Sequence, residues 1–257
     1  MKTIQSLKSM DIQNKRVLIR EDFNVPQDEA GHITNDVRIL EAVPTIQYAL
    51  SKQARVYILS HLGRPKEGQF EPKYSLKPVA KRLSELLKVP VRLENFREDM
   101  PSQPGEVVLI ENVRFLKGEA ENDPALSKRY ASLCDVFVMD AFSVSHRAQA
   151  STVGVAEFSK EACAGFLLEK ELKALSTALE DPKHPLIAVI GGSKVSTKFK
   201  VLDKLLDKVD ALIIGGAMAN TLLKASGKPI GASMYEEEWI PQAKLLIQKA
   251  QDTSKTL

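Results

Sequence analysis

A doubly wound α/β architecture with a parallel sheet is the fold class this sequence predicts, and three observations predict it. Short aliphatic, β-branched runs of four to six residues recur along the chain. A helical stretch follows nearly every run, and the turn between them is polar and carries Gly or Arg. Uninterrupted apolar runs of this length read as strands buried on both faces, the habit of a parallel sheet. Strand–helix alternation supplies the crossovers that such a sheet needs.

The elements follow in order. Arg16–Arg20 opens the series, with further strands at 56–60, 107–111 and 136–140 and a weaker candidate at 89–93. A helix at 38–52 places Ile39, Val43, Ile46 and Leu50 near one face. A second at 76–87 groups Val79, Leu83, Leu86 and Leu87, and 124–133 is a short third. Residues 169–179 form a charged amphipathic helix that stops at Glu180-Asp-Pro-Lys-His-Pro185, because the two prolines end a helix and begin an extended segment. This break divides the chain into a Rossmann-like domain at 1–168, an interdomain helix and hinge at 169–185, and an incomplete second α/β domain at 186–257. The second series holds strands at 186–190 and 211–215 with a helix at 197–206 between them, then a polar tail. Two parallel strands with their helices bury too little surface to stand as an independent doubly wound domain. The chain is therefore expected to be a piece of a longer protein, or to need help in its second domain. The strand at 211–215 is expected to leave an unpaired apolar edge.

Composition removes several function classes. Of 257 residues, 44% are hydrophobic and 27% charged, which suits a folded core and not disorder. Aromatics make up only 6% and do not alternate with basic residues, so no base-stacking platform is expected. A net charge of +3 spread along the chain is no polyanion signal. Cys134 and Cys163 stand 29 positions apart with no second pair, and His32, His61, His146 and His184 share no metal-ligand spacing. Both cysteines read as buried thiols, and Trp239 as a packing residue beside an acidic cluster. No signal peptide or membrane span is expected, and the chain reads as a cytoplasmic protein.

In an open parallel sheet, ligands bind outside the carboxyl ends of the strands. The first strand runs into Glu21-Asp-Phe-Asn-Val-Pro26, with Arg38 opening the next helix. The others run into Ser60-His-Leu-Gly-Arg-Pro65, Glu111-Asn-Val-Arg114 and Asp140-Ala-Phe-Ser-Val-Ser-His-Arg147. Each loop delivers an arginine to one edge, and two add a histidine. A ring of Arg38, Arg64, Arg114 and Arg147 suits a small phosphorylated or carboxylated metabolite, because the guanidinium fork matches the oxygens of both groups. Asp22 and Asn24 supply acceptors for hydroxyls or for orienting an arginine, and His61 and His146 are ligand-edge candidates.

The second series ends in glycine pairs. The strand at 186–190 runs into Gly191-Gly-Ser-Lys-Val-Ser-Thr-Lys198, and the strand at 211–215 into Gly215-Gly-Ala-Met218. Glycines after a strand let backbone amides approach a phosphate, and a helix N-terminus adds partial positive charge. Lys194 and Lys198 share a helix face if the helix starts near Lys194. The spacing fits neither a Walker A loop nor a G-x-G-x-x-G fingerprint. The nucleotide-phosphate reading therefore rests on Gly191, Gly192, Lys198, Gly215 and Gly216.

In series, these loops closely resemble those of the phosphoglycerate kinase family. Arg20-Glu-Asp-Phe-Asn-Val-Pro26 resembles R-V-D-F-N-V-P, and Asn35-Asp-Val-Arg-Ile39 resembles D-x-R-I. Ser60-His-Leu-Gly-Arg-Pro65 matches S-H-L-G-R-P, and Glu111-Asn-Val-Arg-Phe115 matches E-N-V/L-R-F. Residues 140–150 resemble D-A-F-G-T-A-H-R-A, residues 191–198 match G-G-[SA]-K-V-x-x-K, and residues 215–219 resemble G-G-G-M-A. The resemblance implies phosphoryl transfer between 1,3-bisphosphoglycerate and ADP, giving 3-phosphoglycerate and ATP, with Mg²⁺ carried by the nucleotide and no metal ligands named in this chain. It implies that Asp22, Asn24, His61, Arg64, Arg114 and Arg147 bind the triose. Arg38 would stabilise the transferred group, Lys194 and Lys198 would neutralise phosphates from the nucleotide side, and the domains would close by hinge bending. The implied partners are small molecules, with neither nucleic acid nor membrane, and the full-length protein is expected to be a monomer.

Three departures accompany the resemblance. Glu21 stands where the family has an apolar residue, and strand alternation would point it away from Arg20 and Asp22. Ser143-Val144 stands for Gly-Thr. The family's later Gly-Gly-Asp-Ser/Thr loop and its acidic nucleotide contacts have no counterpart in these 257 residues, so little or no turnover is expected of the chain by itself. The alternative is a non-catalytic module that only captures an anionic triose.

Overall fold

The computed structural model describes residues 4–180 and 182–257. The chain divides into two compact units, Met1–Lys173 and Ala174–Leu257.

The first unit is built on strands β1 (Arg16–Arg20), β2 (Arg55–Leu59), β3 (Val91–Glu94), β4 (Val107–Ile110), β5 (Val136–Met139) and β6 (Glu161–Ala164). They form a six-stranded sheet, parallel throughout, in the order β3-β4-β2-β1-β5-β6. Around it lie α1 (Val37–Ser51), α2 (Lys77–Leu87), α3 (Pro124–Ser132) and the single turns α4 (Phe142–Ser145) and α5 (Val155–Phe158). Helix α6 (Phe166–Glu180) starts in this unit.

The period of two along each strand splits the core into two layers. Val17, Ile19, Val56, Ile58, Val107, Leu109, Val136 and Val138 face one way, against Ile39, Ala42 and Ile46 of α1 and Val79 and Leu83 of α2. Leu18, Tyr57, Leu59, Val108, Ile110 and Phe137 face the other way, against Leu126 and Tyr130 of α3 and Val155 of α5. Helix α1 continues through Pro44, which lies on its exposed side, where water can satisfy the carbonyl that the missing N–H leaves free.

Two strand readings change. The weak candidate at 89–93 is shifted to β3, Val91–Glu94. Strand β6 was not assigned at all: Glu161-Ala-Cys-Ala164 has little intrinsic strand preference, and its pairing with β5 imposes the conformation.

The second unit holds β7 (Ile187–Gly191) and β8 (Ala211–Gly215), a parallel pair, with α7 (Phe199–Leu206), α8 (Met218–Ala225) and α9 (Ile240–Asp252). Helices α8 and α9 were not assigned from sequence. Ala188, Ile190, Leu212 and Ile214 pack with Leu202, Leu206, Met218, Leu222, Ala243 and Leu246 in one core layer. Trp239 packs against this layer, its ring 5.5 Å from that of Phe199. The other face of the pair is bare: Ile187, Val189 and Ile213 are 53%, 68% and 53% exposed. The edge expected to be open is instead partly closed. Leu212 donates to the Thr256 carbonyl at 2.8 Å, Thr256 donates to Asp210 at 3.2 Å, and the tail forms a parallel bridge to Ala211.

Candidate active site

The strand order reverses at β1, so a crevice opens at the carboxyl ends of β1 and β5, the usual ligand position in such a sheet. Asp22, just past β1, is its centre. Its Oδ2 accepts from the Arg38 guanidinium and from the Ser143 hydroxyl, and its Oδ1 accepts from the Asn24 amide at 3.0 Å. Burial opposes ionisation of Asp22. The Ser143 and Asn24 hydrogen bonds and the Arg38 charge outweigh it and hold the carboxyl below its ordinary range. Asp22, Arg38, Glu41, Ser143 and Lys170 line a cavity of about 350 Å³.

His61 follows β2 and is buried, with Nδ1 3.9 Å from Asp22 Oδ1 and 3.4 Å from an Arg20 nitrogen. An arginine can only donate, so Nδ1 is the acceptor and Nε2 carries the ring proton. Burial, then the charges of Arg20, Arg114 and Arg147, push its pKa down to about 3 against the pull of Asp22. The imidazole is neutral at ordinary pH and presents an N–H donor.

Arg64, Arg114 and Arg147 line a second cavity of about 300 Å³ together with Glu119 and Gln149. Burial, then Arg147, Arg20 and Arg64, hold the Arg114 guanidinium below the ordinary arginine value. Three like charges around one small space are what an anion would neutralise. The loops that carry Arg64 and Arg114 are tied to each other. Arg114 donates to the Gly63 carbonyl, and Gly63 donates to Asn24 Oδ1 at 2.8 Å. Asn112 donates to the Leu62 and Tyr74 carbonyls at 2.7 and 2.9 Å. Gly63 has φ +60°, and a Cβ there would sit 2.3 Å from the Tyr74 ring, so this turn needs glycine.

The sequence-predicted residues are thus brought together in two groups, Asp22 with Arg38 and Arg64 with Arg114 and Arg147, with His61 lying between their charges. Asn24 spends its oxygen on the loop backbone. His146 is the exposed C-cap of α4 and lines neither cavity.

In the second unit the two glycine pairs pack on one another. Gly216 has φ +74°, and a Cβ there would come within 2.6 Å of the Gly192 carbonyl, which itself accepts from the Met218 amide at 3.0 Å. One expectation fails here. Helix α7 starts at Phe199 with Lys198 as its N-cap, so Lys194 and Lys198 share no helix face. The chain between them closes in a tight turn, Lys198 donating to the Val195 carbonyl at 2.9 Å and Thr197 Oγ1 to Lys194 at 3.0 Å. Both lysines are exposed. Ser196 ties this loop to Glu236 through its N–H at 3.0 Å and its hydroxyl at 2.6 Å.

Sequence reasoning missed the buried layer under the arginines. Arg20 is 1% exposed; its Nε donates to Ser151 Oγ at 2.9 Å, and a terminal nitrogen donates to the Glu21 carbonyl. Ser151 passes its own proton to Glu119 Oε1 at 2.5 Å. Glu119 lies in an acidic, turn-rich stretch that reads as solvated surface, and Ser151 carries no sequence signal. The one signal that could have found this layer is Arg20, a charge ending an otherwise apolar strand. Among the described residues no group of three His, Cys, Asp or Glu side chains could hold a metal ion, and no helix is long and apolar enough to cross a membrane.

The Phosphoglycerate kinase family model matches residues 7–257. The chain belongs to the phosphoglycerate kinase family. The phosphoglycerate kinase of Coxiella burnetii is 56% identical over 98% of this chain, and that of Desulfovibrio desulfuricans 50% identical over 99%. The solved Coxiella burnetii phosphoglycerate kinase superposes with a TM-score of 0.90 at 55% identity over 99% of this chain and 65% of its own. The Pyrococcus horikoshii OT3 phosphoglycerate kinase gives 0.81 at 29% identity, covering 97% of this chain and 66% of its own. The chain spans 64% and 65% of the length of the two sequence relatives.

Proposed function

We propose that the protein serves phosphoryl transfer between 1,3-bisphosphoglycerate and ADP, giving 3-phosphoglycerate and ATP in the cytosol, and that its first unit holds the triose. The observation that carries this reading is the cavity ringed by Arg64, Arg114 and Arg147 beside the Asp22–Arg38 pair. The three arginines hold the triose phosphate by charge-assisted hydrogen bonds. The neutral His61 offers its Nε2 proton, the ionised Asp22 accepts from the triose hydroxyl, and Asn24 holds the loop beside it. Arg38 is the cation for the migrating phosphoryl, and its pairing with Asp22 keeps it aimed until substrate arrives. Lys194 and Lys198 do the same from the nucleotide side, where the amides of Gly191, Gly192, Gly215 and Gly216 face the phosphates. Mg²⁺ enters as part of the nucleotide substrate. Such transfer depends on positioning and cationic stabilisation more than on a covalent nucleophile.

Titration calorimetry of the 257-residue chain with 3-phosphoglycerate tests the triose site. Binding is expected, and Arg64→Ala should weaken it by about tenfold or more, as loss of a charge-assisted pair does. No binding, or binding indifferent to Arg64, would overturn the assignment. In a full-length version, an enzyme-linked assay of ATP consumption separates transfer from mere capture: Arg38→Ala should lower kcat by about 100-fold or more, far more than it weakens 3-phosphoglycerate binding.

A further inference from the structure

Where backbone pairing between β1 and β5 ends, at Arg20 opposite Met139, the next residues on the two chains are Glu21 and Asp140. Both are buried, at 1% and 0% exposure. Asp140 Oδ1 accepts from the Leu168 amide at the start of α6 at 2.9 Å. Its Oδ2 and Glu21 Oε1 are shut off from solvent, and neither receives a hydrogen bond from any other described residue. The two carboxyls meet side chain to side chain. Gly165 leaves them room, since a Cβ there would lie 2.3 Å from Asp140 Cγ.

Two buried carboxylates in contact, each with an idle oxygen, are unfavourable unless a proton lies between them. Among the described residues no cation bonds either idle oxygen. The Arg20 guanidinium is spent on Ser151, His61 and the Glu21 carbonyl. The cations that line the cavity with Glu21 are engaged elsewhere, Arg38 on Asp22 and Lys170 on Glu41 at 3.0 Å, and the remaining neighbours of the pair are Asp22, Thr45 of α1, Cys163 of β6 and Glu169 of α6.

We propose that Glu21 is a neutral acid that donates its proton to Asp140, and that this rung positions the Asp22 and Ser143 loops at the anion crevice. One step further out, Ser143 donates to Asp22. The side chains thus continue as two rungs where the backbone ladder stops, one buried and one at the cavity wall. Burial, then the neighbouring Asp140 charge, favours the neutral form of Glu21, while Asp140, lifted to about 6 chiefly by burial, is the partner that ionises. Glu21 also lines the cavity of Asp22 and Arg38, and it holds the two loops through Asp140.

The functional part rests on the triose-site reading, whereas the proton itself does not, and two measurements separate them. Infrared spectroscopy of the full chain at pH 7 should show a protonated-carboxyl band in a buried environment that Glu21→Gln abolishes. No such band, or a band that survives in Glu21→Gln, would overturn the proton assignment. Calorimetry with 3-phosphoglycerate from pH 6 to 9 tests positioning. The parent chain should lose affinity several-fold as the shared proton leaves, and Glu21→Gln, which keeps a donor, should match the low-pH affinity at every pH. Glu21→Val, which has none, should bind more weakly throughout. Identical affinities and pH profiles in all three would end the positioning claim. If none binds, the triose reading fails and the infrared result still decides the rung.

Discussion

His61 shows how a neighbour fixes the role of a single side chain. With Arg20 donating to Nδ1, the ring is locked in one tautomer, and burial, then nearby positive charge, keeps it neutral far below its ordinary range. Its ring nitrogen NMR shifts should stay flat from pH 8 to pH 5. A midpoint near 6.5 for His61 would contradict this account. The two thiols are also set by their surroundings. Burial pushes Cys134 up to about 11 and Cys163 up to about 12, so neither offers a thiolate at neutral pH. Both should be silent to an aromatic disulfide reagent in the folded protein and react fully in denaturant.

At the scale of elements, the turns after β5 and β6 carry a stiff steric condition. Gly165 faces the Asp140 carboxyl so closely that a methyl group would have to displace it, and Asp140 is held by the Leu168 amide. Gly165→Ala should cost about 1–3 kcal/mol in chemical denaturation, the range for overpacking a buried site. In the second unit Leu202 is fully buried from α7, and Leu202→Ala should cost about 2–5 kcal/mol. Strands of this kind were legible because Val, Leu and Ile repeat without interruption, and α1, α2 and α3 because their apolar spacing follows the helical turn. Strand β6 was hidden by its small residues. The start of α7 was misread because Lys194 and Lys198 sit at helical spacing, whereas the intervening residues close on themselves and on Glu236. The exposed layer of the candidate site was readable for a physical reason: parallel strands place every following loop at one edge, so arginines after strands converge. Its buried layer was not readable, because Glu119, Ser151 and the Glu21–Asp140 contact depend on which faces turn inward after the strands end.

For the molecule as a whole, these buried groups set opposing pH responses. His61 has its folded pKa near 3, below the ordinary 6.5, so its contribution to stability is present above about pH 6.5 and is lost as pH falls toward 3. Asp140 has its folded pKa near 6, above the ordinary 3.8, so its contribution is full below about pH 3.8 and is lost as pH rises through 6. Melting temperatures across pH 3 to 8 should therefore fall less steeply on the acid side in His61→Gln than in the parent, and rise relative to the parent above pH 6 in Asp140→Asn. Parallel curves for parent and variants would show that these groups do not govern the profile.

The single bridge from the tail to β8 has a consequence for how chains could meet. Strand β7 pairs only with β8 among the described residues, so the small sheet has one free side, while Thr256 blocks the start of the other at Ala211 and Leu212. A sheet with one free side has a valence of one: two chains can join, and the joining then stops. Without residues 255–257 the valence becomes two, and each added chain would offer a fresh place for the next. Light scattering at rising concentration should level off for the intact chain and keep climbing for the shortened one. Three residues at the rim of a two-stranded sheet would then mark the difference between a pair and a fibre.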